Sequence, residues 1–287
     1  MKRAIVLGGG GVAGIAWATG VAAGMARHGV DITAADAIVG TSAGSVVGAQ
    51  IATGIGLEIL LAAQLMPASQ TRELVRRYSQ ADADARNREL MQKVFGDARA
   101  ARRRIGAYAL RTETVPLKTR RDIIAARLPT AHWPRCDLRV VAVDTETGEH
   151  VVFHRHSGVE LVDAVAASCA VPGSWPAVPL NGRTYMDGGI RSLTNADLAW
   201  PADTVLVIAP LGYGDGNPVS GHLRAEVAYL RERGVRVAVI VPDDASREAM
   251  TDNVLDPSRS APSAYAGVLQ GERIAAQIGL VWMDGQS

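Results

Sequence analysis

The stretch IVGTSAGSVVG, residues 38–48, sets Ser42 between two glycines, where a short apolar run gives way to a small-residue segment. A chain with this G-x-S-x-G pattern must turn sharply from a buried strand into a helix. Such a turn needs small residues on both sides, here Gly40 and Gly44, and it holds the middle residue in a strained backbone conformation with its side chain in a cleft. On this reading Ser42 is a candidate nucleophile, and the question becomes what partners the chain supplies for it.

The surrounding pattern restricts the fold class. Ala4–Leu7 is a short aliphatic run ending at four glycines, and residues 15–28 are alanine-rich and stop near Gly29. Ala37–Val39 predicts a second buried strand and Ser45–Gly54 a second helix. This β-α-β-α order specifies a mostly parallel sheet covered by helices, an α/β class chain with a three-layer α/β/α sandwich. Further on, Leu138–Val143 and His150–Phe153 flank the turn DTETGE and predict a hairpin. Residues 160–170 read as a helix stopped by Pro172 and Gly173. Val205–Ala209 and Val235–Val241 read as strands joined by a helix over 223–233, and Tyr265–Ile278 as a closing amphipathic helix.

Residues 70–128 break the pattern. They hold 15 Lys and Arg against 7 acids, a difference of +8 in a chain whose formal net charge is only +1. The stretch predicts solvated helices, a basic insertion or cap at about 65–130 over one 1–287 domain. A charged outer face is its simplest role, and a face toward phosphate or membrane the alternative. The near-neutral whole gives no reason to expect nucleic acid. Two cysteines, Cys136 and Cys169, offer neither a disulfide framework nor a zinc spacing, so no metal is expected. The apolar run before the first glycines is too short for a signal-peptide core. A cytoplasmic protein, with possible peripheral membrane contact, is the expectation.

Gly9–Gly14, GGGVAG, matches G-x-G-x-x-G and admits two readings. A dinucleotide loop would place a pyrophosphate at the helix N-terminus and wants a carboxylate at the end of the second strand. Asp31 and Asp36 both precede that strand instead. The other reading, favoured here, is an oxyanion hole, in which glycine N–H groups point at the charge that develops on a carbonyl oxygen. A serine also needs a base. Of six histidines only His222 falls late enough for a Ser–Asp–His order. Asp187, in YMDGGI, is the other candidate, held in an exposed turn by Gly188 and Gly189.

In order and spacing these motifs resemble the patatin-like phospholipases: a glycine-rich loop, G-x-S-x-G, then Asp-Gly-Gly well downstream. VAASCAVPGSWPAV, residues 165–178, and DLRVVAVDTETGEHVVF, residues 137–153, are similar to further segments of that family, and the likeness spans roughly residues 4–210. The resemblance implies a Ser–Asp dyad without histidine. Ser42 would be the nucleophile, Asp187 the base, and Gly9, Gly10 and Gly11 the oxyanion donors, with Gly14, Gly40, Gly44, Gly188 and Gly189 supporting the motifs. It implies a lipid or acyl-ester substrate, lipid metabolism as the setting, and no cofactor. The family's loop commonly has an arginine where Ala13 stands here, so that charge is not carried over. The alternatives are a nucleotide-binding oxidoreductase using residues 9–14 and a non-catalytic lipid-binding relative. Trp17, Trp175 and Trp200 are expected in the core rather than in an acyl pocket.

Overall fold

The computed structural model describes residues 1–283. Eight strands form one sheet: β1 (Arg3–Leu7), β2 (Ala37–Thr41), β3 (Asp137–Asp144), β4 (His150–Phe153), β5 (Val178–Leu180), β6 (Arg183–Asp187), β7 (Thr204–Ile208) and β8 (Arg236–Ile240). The order is β5-β6-β3-β2-β1-β7-β8, with β4 paired to β3 off this path. β3, β2, β1, β7 and β8 are parallel, whereas β4, β5 and β6 join antiparallel.

The helices are α1 (Gly11–Arg27), α2 (Ala43–Ala52), α3 (Leu57–Leu65), α4 (Gln80–Lys93), α5 (Ala98–Arg111), α6 (Leu117–Arg127), α7 (Leu161–Ser168), α8 (Leu223–Arg231), α9 (Asp244–Met250) and α10 (Ser260–Met283). None of the described helices is long and apolar enough to cross a membrane.

Strand periodicity assigns the layers. On β1, Ile5 and Leu7 enter the larger core with residues of α1, α2, α7 and α10, while Ala4 and Val6 enter a second core with Leu223, Val227 and Leu230 of α8. Alternate residues thus serve opposite faces, as the pleat requires, and both faces are covered. The α/β/α sandwich expected from the sequence is the observed architecture.

α1 and α10 lie unusually close. A Cβ on Gly20 or Gly24 would be driven into the backbone of Ala264 or Val268, and one on Gly267 or Gly271 into that of Trp17 or Val21. Four small residues let the two helices meet backbone to backbone, which larger side chains would prevent.

Several boundaries differ from the sequence pattern. α1 starts at Gly11, directly behind the glycine run, and α2 starts at Ala43, leaving no spacer between Ser42 and its helix. The hairpin of β5 and β6 is an addition to the expected elements. Its signal is the pair Asn181-Gly182, whose φ angles of 50° and 78° suit a tight two-residue turn between antiparallel strands.

The basic stretch is helical as expected, but it is not uniform. Ile123 and Ile124 of α6 are buried, and Ile124 joins the larger core. α4 buries no residue, and Val94 and Ala101 make a small separate cluster with Val219. α4 and α5 are therefore the part that lies over the body. Their starts follow from Ser79 and Asp97, whose side chains accept from the amides of Asp82 and Ala100 at 3.0 Å each.

Candidate active site

The sheet register brings the serine and the aspartate together. Residues 137–141 of β3 pair with β2, and residues 142–144 pair with β6. β4 pairs with Val140–Val143, overlapping both sets, so it occupies one edge of β3 and leaves β2 and β6 to share the other. The consecutive rungs Val141 and Ala142 therefore carry Thr41 and Asp187. Two strands run toward each other along one edge of β3, and their ends deliver Ser42 and Asp187 to the same place.

Ser42 sits between β2 and α2 with φ 52° and ψ −120°. A non-glycine residue at such angles is strained by about 1–3 kcal/mol and needs a surrounding structure that enforces it. That structure is visible. The Ser42 N–H donates to Ser168 Oγ at 2.9 Å, and its carbonyl accepts from the N–H and the hydroxyl of Ser45. Gly44 lies so close to β1 that a Cβ there would collide with the Leu7 carbonyl. Gly40 packs on Ser45, and Gly14 lies between Pro210 and Ala43, so the helices behind both loops sit side by side.

Asp187 is the last residue of β6 and is 4% exposed. Its Oδ1 accepts from the Gly189 N–H at 2.7 Å, and Gly188 packs against the Val141 carbonyl. Its Oδ2 is buried and accepts no hydrogen bond of ordinary geometry. The Ser42 hydroxyl stands beside the carboxyl group, near enough to favour its charged form, but the contact is not closed into a regular hydrogen bond. Burial dominates and pushes the carboxyl up from 3.8 to about 7, against the smaller opposing pulls of Ser42, the Gly189 N–H and the Arg120 charge.

The glycine run is the third wall. A methyl group on Gly9 would lie 3.5 Å from Ser42 Cβ, so the loop and the serine are in contact. The Gly9 N–H donates to the Leu193 carbonyl at 2.8 Å and is already engaged. Gly10 and Gly11, at the start of α1, have N–H groups with no acceptor among the described residues. A helix start leaves such donors free and adds partial positive charge. Gly9, Gly10, Gly11, Ser42, Asp187 and Gly189 all line one cavity of about 90 Å³.

Other expected residues fall elsewhere. None of the six histidines lines this cavity, and the His222 ring Nε2 is taken by the Val219 carbonyl at 2.9 Å. Asp36 lies at the opposite end of β2 and accepts from the Arg3 N–H at 2.7 Å, so it is not placed to hold a ribose at the end of that strand. Trp17 and Trp175 are buried as expected. Trp200 is 42% exposed, at the C-terminal end of the short helical turn Ala196–Ala199.

One participant has no counterpart in the sequence reading. Asn195, fully buried with φ 54°, donates its side-chain amide to Thr41 Oγ1 at 3.0 Å and to the Ser192 carbonyl at 2.8 Å, and reaches the Gly188 carbonyl at 3.3 Å. It ties the strand end before Ser42 to the turn after Asp187. An asparagine in a polar loop gives no sequence signal of that role, which depends on contacts 154 residues apart.

Solved structures similar to this chain at low identity include VipD and ExoU. VipD from Legionella pneumophila is 12% identical, covered at 96% of this chain and 67% of its own, with a TM-score of 0.46. The type III effector ExoU is 13% identical, covered at 94% and 53%, with a TM-score of 0.35, so this chain spans about half of it. No curated protein sequence matches. The profile described as Patatin-like phospholipase matches residues 5–200, more than half of the chain. The chain therefore belongs to the patatin-like phospholipase family, a family of lipid acyl hydrolases.

Proposed function

We propose that the chain is a serine acyl hydrolase that cleaves acyl esters of lipids through Ser42 and Asp187. The observation that carries this reading is a buried carboxyl, with one oxygen unpartnered, beside a serine on a strained turn. A carboxylate with an ordinary pKa is a poor base at neutral pH, whereas one raised to about 7 is poised to take a proton and return it.

The cycle has two halves. Ser42 Oγ bonds to the ester carbonyl carbon while its proton passes to Asp187 Oδ2, and the carbonyl oxygen becomes an oxyanion. The N–H groups of Gly10 and Gly11 receive that charge, with Gly9 shaping the loop. Collapse breaks the bond to the alcohol, which leaves with the proton from Asp187. Water then attacks the acyl-enzyme, again losing a proton to Asp187, and collapse releases the fatty acid as Ser42 regains its hydrogen. The dyad needs no further group for these transfers. The chain acts as one domain, with α4 and α5 as its cap.

Labelling with a fluorophosphonate probe, followed by mapping of the modified peptide, tests the assignment. Modification at Ser42, and loss of esterase turnover in folded Ser42→Ala and Asp187→Asn proteins, is the expected result. Near-normal turnover in Asp187→Asn would remove the dyad, and a folded protein that neither labels nor turns over would be a lipid-binding relative.

A further inference from the structure

The cavity at Ser42 is small. Its volume of about 90 Å³ has room for about three water molecules and none for an acyl chain. Immediately outside lies a groove of about 730 Å³ between α4, α5 and the loop 171–174, in the size range of sites that take lipid-sized ligands. Both spaces are lined by Tyr78, Ala83 and Asn87 on one side and by Val171, Pro172 and Ile190 on the other. Those six side chains are the wall between groove and serine.

The groove has two chemical characters. Leu90, Ile105 and Tyr108 join the shared apolar residues to give it a greasy floor. Arg77, Arg86 and Arg104 stand on its rim, exposed, with no carboxylate or carbonyl partner among the described residues; one acid, Asp82, also lines it. Some arginines elsewhere, such as Arg27, Arg121 and Arg224, are paired with carboxylates; what distinguishes Arg77, Arg86 and Arg104 is that three unpaired guanidiniums share one apolar groove. Three unpaired guanidiniums over an apolar floor match a molecule with a hydrocarbon chain and an anionic group.

The wall is lightly held. α4 has no fully buried residue: Leu90 and Met91 pack half-buried against the small Val94, Ala101 and Val219 cluster, and the remaining ties to the body are polar. Asn87 donates to Asn217 Oδ1 at 3.2 Å, Asn217 to Asp84 Oδ1 at 2.8 Å, and Arg88 to the Gly216 carbonyl at 2.6 Å. Elements with few buried apolar contacts are the ones that open locally at low cost.

We propose that this groove receives the substrate before it reaches Ser42, and that Arg77, Arg86 and Arg104 select amphiphiles bearing an anionic group over neutral and zwitterionic ones. The inference rests on the hydrolase reading for the chemical step after binding, but the selection itself is a binding property.

The test therefore has two arms. In the first, calorimetric titration of the full chain compares monomeric dodecyl phosphate, dodecylphosphocholine and inorganic phosphate. Dodecyl phosphate should bind best. Each Arg→Gln change should weaken it about fivefold and the triple variant at least roughly tenfold at low salt, with the difference shrinking as salt is raised. Inorganic phosphate should bind far more weakly, since it has no chain for the floor. In the second arm, the triple variant, with a melting temperature matching the native chain, should lose the preference for phosphatidylglycerol over phosphatidylcholine in mixed micelles.

Equal binding of the two dodecyl compounds by the native chain overturns the proposal, as does an undiminished preference in the triple variant. Inorganic phosphate binding as tightly as dodecyl phosphate also overturns it, since the arginines would then be a plain phosphate site. If no ester is cleaved yet the dodecyl phosphate preference falls with the arginines, the groove stands and the hydrolase reading fails.

Discussion

A carboxyl buried with one oxygen unpartnered should weaken the fold that holds it once it ionises, and Asp187 lets that cost be measured. In the unfolded chain its carboxyl titrates near the usual value, and in the fold burial raises it from 3.8 to about 7. Below pH 4 the carboxyl is protonated in both states and costs nothing. Between pH 4 and 7 the unfolded chain gives up its proton while the native state retains it, so native stability falls as pH rises. Above pH 7 both are ionised and the penalty is complete. At about 1.4 kcal/mol per unit, the shift amounts to roughly 4 kcal/mol, a large share of an ordinary domain's 5–15. Asp187→Asn keeps an oxygen for the Gly189 N–H and cannot ionise. Urea unfolding of both proteins at intervals from pH 4 to 8 should therefore show the variant gaining on the native chain by about 2–4 kcal/mol between those limits, then holding level. Other titrating groups are common to both proteins and cancel in the difference. A stability difference that stays flat from pH 4 to 8 would mean that Asp187 titrates in the fold as it does in the open chain, and the account of its basicity would fail.

The same carboxyl should govern turnover, with kcat/KM rising through about pH 7. Arg120, buried and stacked 3.8 Å from the Trp175 ring, contributes a charge that holds the Asp187 value down, so Arg120→Met should move that limb to higher pH. Asn195→Ala should lower kcat about tenfold or more with little change in KM, because about 1–3 kcal/mol of hydrogen bonding between the two turns is lost while the cavity lining stays; unchanged turnover would show that the turns hold themselves. Gly44→Ala should cost at least about 3 kcal/mol and yield little folded protein, since its methyl group meets the Leu7 carbonyl on the central strand; a melt close to that of the native chain would refute this.

The residues most legible in the sequence are those whose chemistry is enforced by backbone geometry. Ser42 stands in a turn that only small neighbours permit, and Asp187 precedes two glycines that let the chain double back. Buried parallel strands such as β1 and β7 announce themselves as aliphatic runs. What is hidden depends on distant partners. β6 begins with Arg-Thr-Tyr, which is no aliphatic run, and is a strand through its pairing with β3 and β5. The Gly9 amide looks free in sequence, and only the Leu193 carbonyl, far along the chain, engages it. The basic stretch reveals its helices and its charge, but not that α6 sinks Ile124 into the core while α4 stays clear of it.

The path of the chain through the sheet also has a consequence for its synthesis. β1 is made first, yet its second neighbour is β7, in a register pairing Arg3 with Thr204. The glycine loop at its end is fixed by the Ile208, Leu193 and Val254 carbonyls, which accept from Gly8, Gly9 and Ala13. A ribosome-bound chain complete to residue 150 would already contain Ser42 and its helix. It would still lack Asp187 and every carbonyl that fixes the loop. Contacts spanning so much sequence form late. The nascent polypeptide thus carries Ser42 without its neighbours, and the Asp187 carboxylate and the loop anchors arrive only as residues 187–254 close over the first strand.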